Sequence, residues 1–307
     1  YFIGKDNITF HAVTWPAELL GMDTGFDKLM GAKNPKALNL PYNVPANEFM
    51  NLEGRKISGS ANWAVWGLDI LDRYDADAIR YYLTVTMPET RDTDWDWEDF
   101  YHRVNGELLA TWGNLANRVL SFTYKHWEGV IPTVEVLRES DLALLDTVKN
   151  GFELVAEKME KVELRTALSL IMDLASEVNK YLDVHAPWFE IKTDRSEAEK
   201  SVYTAIQAIE WLNVMFAPFL PHTSTELHKI LIHPGQHFGN SFQKEIHDEV
   251  GTHTTLGYEL GEDSLTKPGT DIWNAENMIG GRSFNKPYPL ITKLDVSIIE
   301  EERARLG

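Results

Sequence analysis

The sequence predicts a mostly α-helical chain that opens with the end of an α/β domain, and three observations carry the prediction. From Asp96 onward, apolar residues recur every three or four positions through several long stretches. The first residues, Tyr1-Phe2-Ile3-Gly4-Lys5-Asp6, form a short apolar run ending in glycine and charge, the form of a buried strand that turns at its C-terminal end. Between the two lies Leu52-Glu53-Gly54-Arg55-Lys56-Ile57-Ser58-Gly59-Ser60. Its two glycines, two hydroxyls and adjacent cations make a donor-rich loop, suited to a phosphate chain whose charge grows during a reaction.

Composition narrows the classes. At 307 residues the chain suits two domains. Its net charge of -18 argues against a protein that coats nucleic acid by bulk electrostatics, but leaves room for a local RNA site resting on stacking and a few hydrogen bonds. The absence of Cys removes disulfides and thiolate metal ligands and fits a reducing compartment, so a cytoplasmic origin is the default. No apolar run approaches the roughly 20 residues that span a bilayer. The sequence opens at Tyr1 inside a strand-like run and not at Met, so a piece of something longer is expected.

After the opening run, Ile8, His11, Ala12, Trp15 and Leu19 recur at helical spacing. His11 and Trp15 share a face just beyond a strand's C-terminal end, where open α/β sheets bind ligands; a packed core is the alternative. Gly21 to Ala46 reads as a crossing loop, and Asn62 to Leu71 as the start of an amphipathic helix. Asp75-Ala76-Asp77 opens another, its carboxylates complementing the helix dipole, and is assigned to packing. Asp92, Asp94 and Asp96 alternate with Thr93, Trp95 and Trp97 and are read as a turn and a helix cap, not as a metal site. A helix capped by Asp96 and ended by Gly129 carries Phe100, Val104, Leu108, Trp112, Leu115, Val119 and Phe122. Further amphipathic runs at about 141–159, 164–182 and 198–216, interrupted at Pro187 and Pro218, complete a bundle of neighbouring antiparallel helices. Residues 233–282 show little periodicity and read as irregular, their histidines too scattered for a metal. An extended piece at 286–291 and a short charged helix at about 295–305 close the chain.

The stretch Phe2 to His11, followed by Trp15-Pro16-Ala17, resembles the last strand-to-helix unit of the catalytic domain of methionyl-tRNA synthetases, a class I family with a Rossmann-type fold. The resemblance implies that Gly4 and Asp6 lie beside the adenosine of ATP and that Asn7, His11 and Trp15 line the methionine pocket. An apolar residue is usual where Asn7 stands. Aromatic walls suit a thioether, because sulfur packs well against ring edges. Lys56-Ile57-Ser58-Gly59-Ser60 is similar to the family's Lys-x-Ser-Lys-Ser loop, with Gly59 where many members carry the second lysine. The likeness makes Lys56, Ser58 and Ser60 catalytic, with Lys56 also binding ATP and the group stabilising the departing pyrophosphate. Asn114-Leu115-Ala116-Asn117-Arg118 and Ala186-Pro187-Trp188 resemble the family's anticodon segments, in which Asn114 and Arg118 would read bases and Trp188 would stack on one. Read without the resemblance, the loop also fits a solvated turn, Arg55 and Arg118 surface cations, and Trp188 a core residue.

The implied division is a C-terminal remnant of a Rossmann-type catalytic domain at 1–50, a signature-loop connecting domain at 51–95, a class I helical-bundle anticodon-binding domain at 96–235 and a tail at 236–307. The function it implies is part of a methionine-tRNA ligase using ATP and Mg²⁺, with methionine and the tRNA anticodon loop as partners, acting as a monomer and off the membrane. No resident metal is implied. The family's His-x-Gly-His motif does not occur in these residues, so the chain alone is expected to lack the ATP-binding half and to be inactive. A non-catalytic tRNA-binding module whose signature loop has drifted at Gly59 is the alternative.

Overall fold

The computed structural model describes residues 3–31, 33, 36–232, 240–248, 251–259, 273 and 280–307. Backbone packing gathers the chain into two units, one of Tyr1–Ala64, Thr86–Trp97 and Ala304–Gly307, the other of Val65–Val85 and Glu98–Arg303.

In the first unit, a tight turn at Lys5–Asn7 and a wide π-helical turn at Phe10–Thr14 lead into α1 (Trp15–Met22), and α2 (Gly25–Leu29) follows. Part of the stretch read as a crossing loop is therefore helical. Of the expected opening strand, Tyr1 and Phe2 lie outside the described residues. Gly4 makes a single parallel bridge to Asn47, whose carbonyl accepts the Lys5 N–H at 2.8 Å. The Lys5 ammonium pairs with Glu48 and, at 2.8 Å, with Asp92, fixing this corner through charge-assisted bonds. The Lys5 hydrogen bond, followed by the Phe49 N–H, holds the Asp92 carboxyl below its usual range. Two strands too short to see in the sequence, β1 (Met50–Leu52) and β2 (Thr93–Trp95), pair in parallel with Leu52 opposite Trp95. The aspartates around β2 are structural acceptors: Asp94 takes the Gly54 N–H at 2.9 Å, as Asp92 takes that of Phe49.

The second unit is helical. Its helix after the signature loop is shorter than expected, because α3 covers only Gly67–Leu71. Then come α4 (Ala76–Val85) and α5 (Trp97–Arg103), the latter beginning at the border of the two units. A wide i→i+5 stretch at Val104–Gly113 and α6 (Asn114–Trp127) continue α5 without a break, ending at Glu128 and Gly129 with φ of 55° and 74°. The bundle is completed by α7 (Glu139–Glu160), α8 (Leu164–His185), α9 (Pro187–Thr193), α10 (Arg195–Phe216) and α11 (Pro221–Ile230). Pro187 and Pro221 sit in the first turns of α9 and α11, where a missing N–H costs nothing. Asp77 takes the Thr223 N–H at 2.6 Å in the first turn of α11, which accounts for the acidic opening of α4 as packing.

Helices α6, α7 and α8 carry an apolar stripe each; Leu168, Ile171, Ala175, Val178 and Leu182 of α8 are all buried. From Val202 to Phe216, α10 is buried nearly all round, and α6, α7, α8, α9 and α11 pack on it. It is the central helix of the unit. Two of its polar side chains are held by partners: Asn213 donates to the Ser224 carbonyl at 3.2 Å, and Glu210 pairs with Arg282. Near its start the Arg138 side chain joins four helices. It donates to Asp141 of α7 at 3.0 Å, Tyr181 of α8 at 2.9 Å, Glu190 of α9 at 3.1 Å, and Glu197 and Ser201 of α10 at 3.2 and 2.7 Å. Asp141 is 0% exposed. Burial pushes its carboxyl up, but bonds from the Arg138 guanidinium, the Tyr181 hydroxyl and the Arg138 backbone N–H outweigh that and hold it below the usual range.

The segment read as irregular holds a long hairpin, β3 (Asn240–Asp248) with β4 (Gly251–Glu259), exposed along most of its length. Its mixture of Thr, Gly, His and charge conceals the strand period because neither face is a core face. The closing helix, α12 (Ile298–Arg303), buries Glu302, which accepts from Arg73 at 2.7 and 2.9 Å and from the Tyr74 hydroxyl at 2.9 Å.

Candidate functional site

The candidate residues fall in two groups, one in each unit. In the first, the signature loop is a braced turn. Glu53 and Gly54 take φ of 47° and 72°, a conformation glycine adopts without strain, and Leu52 and Arg55 exchange hydrogen bonds at 2.8 and 3.0 Å. The Glu53 carboxylate accepts the Trp97 N–H at 2.9 Å. Trp63 closes the far side: Ser58 and Trp63 exchange backbone bonds at 2.8 and 2.9 Å, and the indole N–H donates to the Leu52 carbonyl at 2.8 Å. That pairing is why residues 62–66 are not helical. The Arg55 guanidinium lies 3.9 Å from the centre of the Trp63 ring, so Arg55 is a brace of the loop.

Lys56 is exposed, and its ammonium pairs with no described residue. Ser58 and Ser60 approach each other, hydroxyl to hydroxyl, at 3.3 Å across the short turn Gly59–Ala61. The arrangement offers an exposed cation and two hydroxyls on a hydrogen-bonded turn. Such a group can follow charge onto a leaving phosphate with little reorganisation elsewhere. A lysine at Gly59 would be a second cation on an exposed position.

Gly4 to Trp15 in the same unit brings some candidates together. The His11 Nδ1 lies 3.0 Å from the Asn7 carbonyl oxygen, and the His11 and Trp15 rings meet edge-on with centroids 6.2 Å apart. The Asn7 amide turns toward the Asp6 carboxylate at 3.3 Å. A Cβ on Gly4 would come within 3.1 Å of Asp6 Oδ1, so a side chain there would crowd that carboxylate.

In the helical unit, Arg118 and Trp188 come together. The guanidinium sits 4.7 Å from the indole centre and donates to Asn179 Oδ1 at 3.2 Å, with Asp183 at 4.0 Å. Trp188 is half-buried, packed on the core by one side rather than presented wholly to solvent. Asn114 is exposed one turn before Arg118 on the same face and bonds to neither partner. Sequence reasoning missed Asn179, which also donates to the Thr111 and Ala175 carbonyls at 2.9 and 3.1 Å and so holds the Arg118 fork in place. The signal was a polar residue beside the apolar stripe of α8.

Among the described residues, no group of three or more His, Asp or Glu could hold a metal ion, and no helix is long and apolar enough to cross a membrane.

A remnant of an α/β domain carrying this loop, joined in sequence to a helical bundle carrying this arginine–tryptophan pair, is the plan of a class I aminoacyl-tRNA synthetase. The family described as "tRNA synthetases class I (M)" matches residues 1–120, and "Anticodon binding domain of methionyl tRNA ligase" matches residues 131–255. The chain belongs to the methionyl-tRNA ligase family. It is 45% identical to the methionine-tRNA ligase of Thermomicrobium roseum and 42% identical to that of Roseiflexus sp. (strain RS-1), in both cases over 100% of this chain and 50% and 48% of the relative. The chain thus spans about half the length of the curated relatives it matches. Crystal structures of the Mycobacterium tuberculosis methionyl-tRNA synthetase share its fold. The free form has a TM-score of 0.72 at 21% identity, covering 96% of this chain and 49% of that one. The form bound to methionyl-adenylate gives 0.74 at 21% identity, covering 95% and 49%.

Proposed function

We propose that the chain is a working part of a methionine-tRNA ligase, which activates methionine with ATP and passes it to tRNA in the cytoplasm. In this reading residues 1–50 belong to the catalytic domain, 51–95 connect it onward, 96–235 read the anticodon and 236–307 form a tail. Gly4 and Asp6 face the adenosine, and Asn7, His11 and Trp15 the methionine. Lys56, Ser58 and Ser60 stabilise the pyrophosphate as it leaves, while Mg²⁺ enters on the nucleotide's own phosphates. The carboxylate of methionine attacks the α-phosphate directly, so positioning and charge stabilisation are the protein's contribution. A polypeptide confined to these 307 residues is expected to give no methionine-dependent exchange of pyrophosphate with ATP, having no His-x-Gly-His motif.

The observation that best supports the reading is the Arg118–Trp188 pair, held by Asn179 on an otherwise acidic chain. An unpaired base would replace the guanidinium on the indole, freeing the fork to read the base edge beside Asn114. Stacking of this kind contributes about 1 to 3 kcal/mol, so Trp188→Ala should weaken binding of a CAU stem-loop RNA by roughly 5- to 150-fold. Arg118→Ala should also reduce discrimination against a changed anticodon. Titration at fixed salt tests both; a folded Trp188→Ala chain that binds CAU normally would place the anticodon elsewhere.

A further inference from the structure

The helical unit carries more cationic and aromatic surface than a two-point anticodon site needs. Arg118, Phe122 and His126 follow one another at intervals of four on α6 and share a face. The Phe122 ring stands edge-on to Trp188, centroids 6.5 Å apart, and tilts against His126 at 4.5 Å. Trp127 approaches Phe122 and His126 at 5.8 and 6.1 Å. At the start of α10, the Arg195 guanidinium lies 4.9 Å from the Trp127 ring centre and donates to the His126 carbonyl at 2.9 Å. One carboxylate, Glu199, meets this end, accepting from Arg195 at 3.3 Å and from the Trp127 indole at 3.0 Å.

On a chain of net charge -18, Arg118 and Lys125 stand seven positions apart on α6 and Arg195 lies against its end, 55% exposed, with Asp183 at 4.0 Å from Arg118 and Glu199 beside Arg195. Burial, then the charges of Lys125 and Arg195, hold the His126 imidazole below its ordinary pKa, so it offers a neutral ring face between cations. The rings are tilted to one another, with 88° between Trp188 and Phe122 and 46° between Phe122 and His126. A strand crossing them would present its bases singly, splayed, as unpaired RNA does. Alternating ring faces and cations is the pattern that binds single strands without regard to sequence.

We infer that the RNA track continues past Trp188 along α6, so that a nucleotide neighbouring the anticodon lays its base on Phe122 and His126 and its phosphodiester on Arg195 and Lys125. The inference rests on the anticodon reading of Arg118 and Trp188 and adds a second binding site to it. Because phosphate contacts position and do not specify, this site should contribute equally to all loop sequences.

The test is titration of the chain with a CAU stem-loop RNA and with a loop-scrambled version, each at several salt concentrations. Wild type is compared with Arg195→Gln, Lys125→Gln, His126→Ala and Trp188→Ala. Arg195→Gln should weaken both RNAs alike, by about 5- to 10-fold, and lower the slope of log affinity against log salt by about 0.7. Lys125→Gln should act in the same direction. If His126→Ala does not fold, the two exposed cations carry the test. Wild-type affinity and slope in both charge variants, with CAU binding still lost in Trp188→Ala, would end the track at Trp188 and leave the anticodon reading intact. A loss confined to CAU would also overturn the inference, by making Arg195 a base reader. If neither Trp188→Ala nor the charge variants change binding, both readings fall.

Discussion

Replacing Arg138 with Met should be among the most damaging single changes in the helical unit. The unbranched apolar stem is kept, but three carboxylates lose their shared cation. Asp141 would retain the backbone N–H of residue 138 at 2.8 Å and the Tyr181 hydroxyl at 2.6 Å. Glu190 would keep Ser201 at 2.6 Å, with His185 at 3.6 Å, and Glu197 would keep Lys200 at 2.7 Å. Breaking a buried pair by removing one partner costs about 3 to 5 kcal/mol. The surviving bonds argue for the lower end, so about 3 kcal/mol is expected at pH 7, read as a lowered urea midpoint. The double change Arg138→Met with Asp141→Leu should recover part of the loss, because it removes the stranded charge as well as its partner. A single-variant loss below about 1 kcal/mol, or a double variant no better than the single, would refute the idea that one guanidinium holds these four helices together.

Three further outcomes follow from other sites. Because the folded-state pKa of Asp141 lies below its unfolded value, the stability it contributes is fully present above about pH 5 and is lost as pH falls through the folded value; the midpoint difference between wild type and Asp141→Asn should therefore stay constant above about pH 5 and shrink below about pH 4. Gly129→Ala should destabilise by about 1 to 3 kcal/mol in the same unfolding assay, since φ there is 74° and the new Cβ would lie 2.8 Å from the Tyr124 ring and 3.1 Å from the Phe284 carbonyl; an unchanged midpoint would contradict that geometry. In a full-length ligase carrying this segment, Lys56→Ala should lower kcat for adenylate formation on the order of 100-fold with little change in methionine binding, whereas Gly59→Lys should be tolerated; pyrophosphate exchange measures both.

The helices were legible because α6, α7 and α8 each set an apolar stripe against the core, and α10 carries apolar residues on every side. Reading failed where structure depends on partners distant in sequence. The strands β1 and β2 have three residues each and gain their meaning only from a parallel neighbour some forty positions away. The Arg138 cluster draws acids and hydroxyls from four helices, none within a recognisable spacing of all the others. The strands β3 and β4 are exposed along most of their described length, so alternation had nothing to mark. The site fared unevenly for the same reason. The signature loop is continuous in sequence and announces itself by composition. Trp188 was expected to offer an open ring, and only the fold shows Arg118 resting on it and Asn179 steadying Arg118.

The wide i→i+5 stretch at Val104–Gly113 sets the phase of everything after it. Phe100, Val104, Leu108 and Trp112 are spaced strictly by four, and all are buried. In a regular α-helix each such step would overshoot by about 40°, carrying the apolar line round toward solvent. Slower winding brings it back, and the ordinary three-and-four rhythm resumes at Leu115, Val119 and Phe122. The stretch therefore works as a vernier between two helical rhythms, and the compass bearing of Arg118 is fixed by it. Deleting a single residue there without changing the winding of the rest would turn α6 by roughly a quarter of a turn relative to α5. The face that carries Arg118 would then be aimed by a residue count made several turns upstream, with every one of its own side chains unchanged.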